Sequence, residues 1–568
     1  MTESFFVFAL AIALGWPLGR YLAAVMRGAP MRGDRLFGLV ERPLYRLLGV
    51  DPAQGMGWKR YAAAFLLSNL VLGALAWLVF MTQAWLPLNP NDAPNMRWDL
   101  ALHTMVSFLT NTNQQHYSGQ AQLSHLSQMT AIVGLQVITP MMGLALVAAT
   151  LRGLFGGRKP QGELADGSKA EADVGNYWAD VIRPAVRVFL PLGLLLSLLL
   201  TSQGVPSTLG GGPVATPIDA TAEMKEQKIP LGPVAPMVAV KQLGTNGGGW
   251  YGPNSAVPLE NPTPLSNLLQ TLAIVLLPVS VAFMVGAFTG RKKFTALVFG
   301  SMLAMSLAST ALALWAEGHS AAAADIALME GKEVRFGADA SALWAAVTTQ
   351  TSNGSVNMMH DSAAPLTGLV AISDMLVNAV WGGIGCGLQQ FLVYLLLSAF
   401  LAGLMTGRTP ELFGRKIEAP EVKLLAVLVL LQPLVLLGFT AIALAVPSIT
   451  GNSNPGFHGI SQVFYEYVSA FANNGSGFEG LGDATYWWNL SCAAVLALGR
   501  YPALILPLAI AAMLARKRVA PEGAGTLRVE TPTFALTLIA VVVILTLLQF
   551  MPALVLGPVA DHLALVAH

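Results

Sequence analysis

Long apolar stretches constrain this chain more than any other feature of its sequence. Each of ten stretches approaches or exceeds the roughly 20 residues that a helix needs to cross a bilayer. The 568-residue chain is only 11% charged, against about 25% for a soluble domain. This pattern predicts an all-α polytopic membrane protein and excludes a disordered chain, a coiled coil and a typical soluble enzyme. The ten stretches lie at 5–23, 62–85, 128–152, 186–203, 268–289, 294–316, 365–405, 423–446, 485–515 and 532–557.

Charge and cysteine content narrow the class further. The formal net charge is +1, so nucleic-acid binding is not expected. Cys386 and Cys492 both lie in apolar stretches, so we expect neither a disulfide nor a structural zinc site. The first apolar stretch follows Glu3 rather than a basic segment, which favours an uncleaved span over a signal peptide.

The seventh apolar stretch is too long for one straight crossing. It contains Asp374, Asn378 and the glycine-rich run 382–387. We expect a broken helix whose irregular part faces protein or water, because unpaired backbone groups are not tolerated against lipid. The glycines would permit either a gating kink or close helix contact.

Lysine and arginine mark one side of the membrane, since cytoplasmic connections retain them. Most of the 32 such residues lie in alternating connections along the chain. This distribution predicts that both termini are extracytoplasmic, together with the long connections 205–267 and 317–364. The basic connections are 20–60, 152–187, 291–293, 408–423 and 516–528.

Four short clusters rich in Asn, Gly, Thr and Ser recur in the outward connections, and apolar helical stretches precede several of them. Their spacing predicts four repeats of span, pore helix, filter loop and span around one pore, with an extra helix at each end. The clusters are 110–115, 244–249, 351–356 and 472–477. The corresponding divisions are 1–61 for the first span and its connection, 62–160, 161–293, 294–422 and 423–520 for the repeats, and 521–568 for the last span.

We align the clusters on one asparagine from each. This alignment leaves Gln114 and Gln115 where the other clusters have Gly followed by Gly or Ser, so the filter would not be strictly fourfold. The side chain of Gln115 either offers an oxygen to an ion or packs behind the loop. The aligned residues are Asn113, Asn246, Asn353 and Asn474.

The clusters suit a dehydrated monovalent cation. Rings of backbone carbonyls coordinate such ions, glycine lets carbonyls turn toward one axis, and short polar side chains brace a loop. No Asp or Glu lies in the clusters, whereas Ca²⁺ or Mg²⁺ would favour carboxylates. We therefore expect potassium bound by backbone carbonyls. Any one cluster alone is better explained as an ordinary turn, but four at matching places are not. The candidate filter residues are Thr112, Asn113, Gln114, Gln115, Thr245, Asn246, Gly247, Gly248, Ser352, Asn353, Gly354, Ser355, Asn473, Asn474, Gly475 and Ser476.

Longer strings around these clusters resemble one family of four-repeat potassium transporters. The chain is similar, end to end, to KdpA, the potassium-binding subunit family of the bacterial Kdp P-type ATPase. The resemblance implies that the chain selects potassium from outside the bacterial cytoplasmic (inner) membrane and passes it through an intramembrane tunnel. The strings are 110–119, 244–250, 254–256, 260–263, 407–410 and 472–480.

The same resemblance implies protein partners, and no cofactor besides the transported K⁺. A KdpB-like subunit would hydrolyse ATP, and KdpC-like and KdpF-like small subunits would complete the complex. The sequence contains neither a Gly-x-x-x-x-Gly-Lys-Ser/Thr loop nor an Asp-Lys-Thr-Gly phosphorylation motif. We therefore expect no enzymatic activity from this chain by itself.

Charged residues inside spans are costly and count as functional candidates. We interpret Arg500 as a positive plug beneath the filter; the alternative is an arginine paired with a carboxylate or with helix-end carbonyls. Arg408 and Asp374 are further candidates for blocking or gating the pore. Arg408 is also explained as a cytoplasmic anchor, and Asp374 either attracts cations or caps a half-helix N-terminus. Three histidines lack metal-ligand spacing and are expected to be ordinary loop residues: His103, His116 and His360.

Two other functions remain open from the sequence. One is a self-sufficient potassium channel or ion-coupled symporter of the Trk/Ktr kind, although those proteins usually lack the extra terminal spans. The other is a membrane scaffold whose loops bind no ion. A requirement for ATP hydrolysis in a co-purifying subunit would distinguish the first function from the pump subunit.

Overall fold

The computed structural model describes residues 2–156, 172–219, 224–320, 329–521, 523 and 526–566. Within these ranges the chain is mostly helical, and ten helices are long and apolar enough to cross a membrane. The helical spans predicted from the apolar stretches are therefore confirmed. Arg158, Lys159 and Lys169, which add to one basic connection, lie outside the described residues. We number the spans 1 to 10: Thr2–Arg27, Trp58–Trp85, His125–Phe155, Tyr177–Ser202, Pro264–Thr289, Lys292–Gly318, Cys386–Met405, Ala419–Ala445, Tyr486–Ala515 and Pro532–Val566.

A shorter helix precedes each filter cluster. These four pore helices join spans 2 and 3, 4 and 5, 6 and 7, and 8 and 9, so the predicted repeat of span, pore helix, loop and span occurs four times. Spans 1 and 10 flank the repeats. The division of the chain into domains at the stated boundaries remains a prediction. Pore helices 1 to 4 are Trp98–Leu109, Val234–Leu243, Gly337–Gln350 and Phe457–Phe471.

The seventh apolar stretch is broken, as the sequence predicts. A half-helix, Pro365–Val377, ends at Asn378, whose left-handed backbone (φ 46°) caps it. The helix resumes at Cys386 after a segment, 379–385, that is buried throughout. The amide of Gly382 in this segment donates to the carbonyl of Gln350 at 2.7 Å. Non-helical backbone at this depth is thus paired with protein rather than exposed to lipid.

Span 1 packs along span 5 through a pair of glycines one helical turn apart. Gly15 faces the side chain of Val279, and a Cβ added at Gly19 would lie only 2.5 Å from the carbonyl oxygen of Ser280. Small residues four apart let two membrane helices approach closely. The extra N-terminal span is therefore fitted to the second repeat.

Local sequence signals explain the ends of several helices. At the start of span 5, Thr263 and Ser266 form a capping box, and Pro264 stands at the first turn, where its missing N–H costs nothing. Span 5 ends at Thr289 and is capped by Gly290, which adopts its φ of 77° without steric cost. The remaining elements are the helices Asp34–Leu47, Gly119–Gln122 and Pro447–Thr450, the 3-10 turns Asn254–Ala256 and His360–Ser362, and the two-residue strand pairs Val214–Ala215 with Gln227–Lys228 and Glu411–Leu412 with Arg415–Lys416.

Burial distinguishes central from peripheral spans. In span 3, 83% of the most apolar window is buried within the protein, compared with 22% in span 8 and 28% in span 10. Exposed leucines and valines along the outer spans suit a lipid environment. Together with the number of apolar helices, this pattern establishes a multi-pass membrane protein.

Candidate ion-binding filter

One backbone hydrogen bond recurs in all four filter loops and fixes their alignment. In each loop an amide donates to the carbonyl of the residue five positions earlier, inside the preceding pore helix. The pairs are Thr112 with Ser107 (3.0 Å), Asn246 with Lys241 (2.9 Å), Asn353 with Thr348 (2.9 Å) and Asn474 with Ser469 (2.9 Å). Thr112, not Asn113, is therefore equivalent to the three later asparagines. The sequence alignment on Asn113 is wrong by one residue.

The error arises because an asparagine takes the place of a glycine in the first loop. We call Thr112, Asn246, Asn353 and Asn474 the reference positions of the four loops. The residue after each reference position has a left-handed backbone, and among residues with a side chain asparagine tolerates this conformation best. Gln114 is therefore equivalent to Gly248, Ser355 and Ser476, and Gln115 lies one residue further on. The left-handed residues are Asn113 (φ 58°), Gly247 (φ 80°), Gly354 (φ 84°) and Gly475 (φ 103°).

Contacts between the loops arrange them in a ring in chain order. A Cβ added at any of the three glycines would overlap the reference carbonyl oxygen of the next loop. The fourth loop meets the first in this way, and at the remaining junction Asn113 lies against Gly248. Glycine is therefore required for close approach as well as for its positive φ. The overlapping pairs are Gly247 with Asn353, Gly354 with Asn474, and Gly475 with Thr112.

The four reference carbonyl oxygens have no hydrogen-bond donor among the residues that the structure describes. Their residues, Thr112, Asn246, Asn353 and Asn474, are all fully buried. Buried carbonyls are almost always paired, so four unpaired ones at equivalent positions fit a cation as their partner. The C-terminal ends of the pore helices add partial negative charge at the same place. The residues present therefore suit a monovalent cation.

Three carbonyls two positions after the reference residues accept hydrogen bonds from side chains of the surrounding protein. The hydroxyl of Ser107 donates to the Gln114 oxygen at 2.9 Å, and that of Thr348 donates to the Ser355 oxygen at 2.7 Å. The side chain of Gln136 in span 3 donates to the carbonyl of Gly248 at 2.9 Å. These contacts stiffen the ring around the reference carbonyls.

The second loop is supported by a buried ion pair. Lys241 occupies the position of Ser107 and Thr348, and its ammonium contacts the carboxylate of Glu260, both side chains being fully buried. The ammonium also donates to the side-chain oxygen of Asn254 at 2.5 Å, and the nitrogen of that amide donates to the Gly247 carbonyl at 2.6 Å. Sequence reasoning missed this cluster; its only signal is a lysine inside an apolar helix.

The three histidines near the filter are buried rather than ordinary loop residues. His103 lies in pore helix 1, which corrects its expected loop position, and its ring stacks on His116 at 3.7 Å. His360 contacts the Tyr465 hydroxyl at 2.8 Å.

The broken segment of span 7 contacts the second filter loop and Arg500. The Ile384 amide donates to the side-chain oxygen of Thr245 at 3.2 Å, and a Cβ on Gly385 would overlap the backbone of Gly143. The glycine-rich run therefore serves close backbone contact. Arg500 is buried, contacts the sulfur of Cys386 and donates to the Thr139 carbonyl at 3.4 Å.

Comparison with known proteins identifies the family. The family model described as "KdpA: Potassium-transporting ATPase A subunit" matches residues 5–563. The chain belongs to the KdpA family. Potassium is the transported ion of this family.

Relatives of similar length support this assignment. A "Potassium-transporting ATPase potassium-binding subunit" from Gloeobacter violaceus is 44% identical over 98% of this chain and 96% of its own length. A protein of the same name from Pseudomonas putida is 42% identical over 99% and 98%. The crystal structure of the potassium transporter TrkH from Vibrio parahaemolyticus matches with a TM-score of 0.50 at 13% identity, covering 89% of this chain and 96% of that one. TrkH therefore shares the fold.

Other candidate residues of this KdpA-family chain have clear positions. Gln115 packs behind the loop, since its side-chain amide makes reciprocal hydrogen bonds of 2.8 and 3.0 Å with the backbone of Gly249. Asp374 lies near the C-terminal end of the half-helix, so the proposed N-terminal cap is wrong; it accepts a hydrogen bond of 2.5 Å from Ser309. Arg408 is exposed and donates to the Thr526 carbonyl at 3.4 Å.

Proposed function

We propose that this chain is the potassium-binding and translocating subunit of a high-affinity, ATP-driven import complex. The observation that carries the proposal is the ring of four buried carbonyl oxygens without a donor among the described residues. Each belongs to an equivalent position of one repeat, and carbonyl rings of this kind replace the hydration shell of potassium.

The charges around the ring favour a monovalent over a divalent ion. The filter loops contain no Asp or Glu. Two buried carboxylates behind them are engaged: Glu260 pairs with Lys241, and Glu466 accepts a hydrogen bond from the Gln114 side chain. A ring of neutral dipoles suits a weakly hydrated cation, whereas Mg²⁺ and Ca²⁺ favour carboxylates.

The region beneath the filter supports a sideways path. A cation moving straight through would meet Arg500, and no described carboxylate forms an ion pair with that guanidinium. The N-terminal end of span 7, which begins at Cys386, adds partial positive charge beside it. We infer that potassium enters from the extracytoplasmic side, with both termini on that side of the bacterial inner membrane, and leaves through an intramembrane tunnel.

Active import requires a separate motor. The relatives are named as potassium-binding subunits of a potassium-transporting ATPase, which supports a non-catalytic role here. The tunnel would end at a KdpB-like subunit that hydrolyses ATP, and KdpC-like and KdpF-like subunits would complete the assembly.

The first experiment measures ATP hydrolysis in the complex purified gently from its native membrane. Hydrolysis should rise with potassium, barely respond to sodium, and disappear when this chain is isolated. Gly354→Asp should weaken potassium stimulation, because it places a charged side chain against the Asn474 carbonyl.

The fold shared with TrkH keeps a self-sufficient channel or symporter as the competing function. Potassium flux through liposomes containing only this chain, with no co-purifying ATPase, would support that competitor and overturn the pump assignment. Unchanged K⁺/Na⁺ selectivity in both Gly248→Asp and Gly354→Asp would count against the filter itself.

A further inference from the structure

We propose that His116, Glu466 and Cys492 form a binding site for a divalent transition-metal ion such as Zn²⁺, located behind the first filter loop. The three side chains come from separate elements: the segment after filter loop 1, pore helix 4 and span 9. All three are buried, and one ligand atom from each lies within 4.8 Å of the others. Imidazole, carboxylate and thiolate together are a ligand set that zinc favours.

The hydrogen bonds around His116 indicate that a cation lies between its Nε2 atom and the Glu466 carboxylate. Asp99 is ion-paired with Arg97 and can only accept, so the Asn489 nitrogen donates to it at 2.8 Å. The Asn489 oxygen therefore faces His116 Nδ1, at 2.8 Å, and that nitrogen carries the hydrogen. The other ring nitrogen, Nε2, then presents its lone pair to a Glu466 oxygen at 3.1 Å. Two acceptors at this distance need a proton or a metal ion between them.

The charges of the three ligands match a divalent ion. Neutral His116, the Glu466 carboxylate and the Cys492 thiolate would neutralise it, which lowers the cost of burying it, and the carboxyl of Asp483 is a further acidic group close to all three. A proton would bridge only His116 and Glu466, whereas a metal ion would also engage the sulfur of Cys492, whose hydrogen-bond partner is otherwise Ser491. The hydrogen-bonded pair Asn489 and Asp99 would orient the imidazole, as carboxylates and amides commonly do behind histidine ligands.

Metal binding would act on the first filter loop. The same Glu466 oxygen that faces His116 accepts a hydrogen bond from the side chain of Gln114. A metal ion would compete with Gln114 for this oxygen, and Gln114 belongs to the quadrant of the ring that lacks glycine. Metal binding itself does not depend on the proposed transport function.

The site also explains why sequence spacing gave no metal signal. His116 and Glu466 are 350 positions apart, and the ligands come from the first and fourth repeats. Only closure of the ring brings these repeats together.

Cobalt binding to the intact complex tests the proposal. After chelator treatment, Co²⁺ should bind and produce thiolate-to-cobalt charge-transfer absorption, and Zn²⁺ should displace it. Cys492→Ser should abolish the absorption. Cys386→Ser is the matched control, because Cys386 is the chain's only other cysteine, and it should retain the signal. Equal absorption in the wild type and Cys492→Ser would overturn the site.

A second variant keeps all three ligands. Asn489→Ala should weaken cobalt affinity about 10- to 100-fold by releasing the imidazole. Zn²⁺ should raise the potassium concentration needed for half-maximal ATP hydrolysis in the wild-type complex and have no such effect in Cys492→Ser. Unchanged affinity in Asn489→Ala, or the same zinc response in the wild type and Cys492→Ser, would contradict the proposal.

Discussion

The side-chain amide of Asn353 donates a hydrogen bond of 3.2 Å to the backbone carbonyl of Lys241, and so ties the third filter loop to the second pore helix. Asn474 makes the same contact with the Thr348 carbonyl at 2.9 Å. Each of these asparagines binds its loop to the preceding repeat while its own carbonyl stays unpaired. Hydrogen bonds to the neighbouring pore helices therefore hold the ring in place. Substitutions of the residues that make these supporting contacts should change ion selectivity.

Gly354→Ala should weaken potassium binding. A side chain at φ 84° costs about 1–2 kcal/mol, and its Cβ would overlap the Asn474 carbonyl. We expect the half-maximal potassium concentration for ATP hydrolysis to rise about 10-fold or more. The control is Gly300→Ala in span 6, where an added Cβ meets no neighbour. Equal potassium dependence in the two variants would contradict the role of this glycine.

Lys241→Met should destabilise the protein more than an exposed substitution does. It leaves the fully buried Glu260 carboxylate unpaired, which costs about 3–5 kcal/mol. Thermal unfolding in detergent should show a lower midpoint, and the double variant Lys241→Met, Glu260→Gln should recover much of the loss. Lys228→Met, at an exposed lysine, is the control. No recovery in the double variant would argue against the ion pair as the cause.

Arg500→Gln should open a leak beneath the filter. Removing the guanidinium lowers the barrier to a cation continuing straight toward the cytoplasm. A decrease of about 1.4 kcal/mol corresponds to about a 10-fold faster flux. Passive rubidium uptake into liposomes containing the complex without ATP measures it, with Arg20→Gln at the exposed Arg20 as control. A leak no greater than that of the control would reject the plug.

Stability should fall between neutral and alkaline pH because of His458. Burial alone would lower the pKa of this histidine, but hydrogen bonds of 2.9 Å to the carboxylates of Asp361 and Asp561 outweigh it and raise the pKa to about 9. The pKa of His458 in the folded protein lies above the unfolded value of 6.5. The charged histidine therefore contributes its full stabilisation below pH 6.5, and this contribution is lost as pH rises through about 9.

The expected loss is at most about 3 kcal/mol. Unfolding midpoints measured from pH 6 to 10 should therefore decline more steeply in the wild type than in His458→Gln. His319→Gln, at an exposed histidine, should keep the wild-type slope. If the unfolding midpoint falls equally steeply with pH in the wild type and His458→Gln, the His458 contacts do not contribute to the pH dependence of stability.

Composition and spacing predicted the large-scale fold because both depend on local chemistry. The apolar stretches predicted the ten spans, and Asn378 with the glycine-rich run predicted the break in span 7. The filter loops were located by residue type, because a left-handed backbone favours glycine and asparagine. Their use as potassium ligands remains a prediction, supported by the unpaired carbonyls.

The register of the first loop and the support behind the filter could not be read in the same way. Asn113 resembles the reference asparagines in type, and only its backbone shows that it replaces a glycine. Lys241 meets Glu260 from another element, and Glu466 meets Gln114 across 352 positions. Such pairings depend on how the repeats close around the axis, which no local pattern records.

The unequal loops illustrate what it means to build a fourfold ring from one polypeptide. In a homotetramer every substitution appears four times, so a residue as bulky as asparagine at the glycine position, or a charged pair behind one loop, would be imposed on every subunit. Here Asn113 and Lys241 each alter one quadrant and leave the other three free. Covalent linkage of the repeats thus lets evolution tune selectivity one sector at a time.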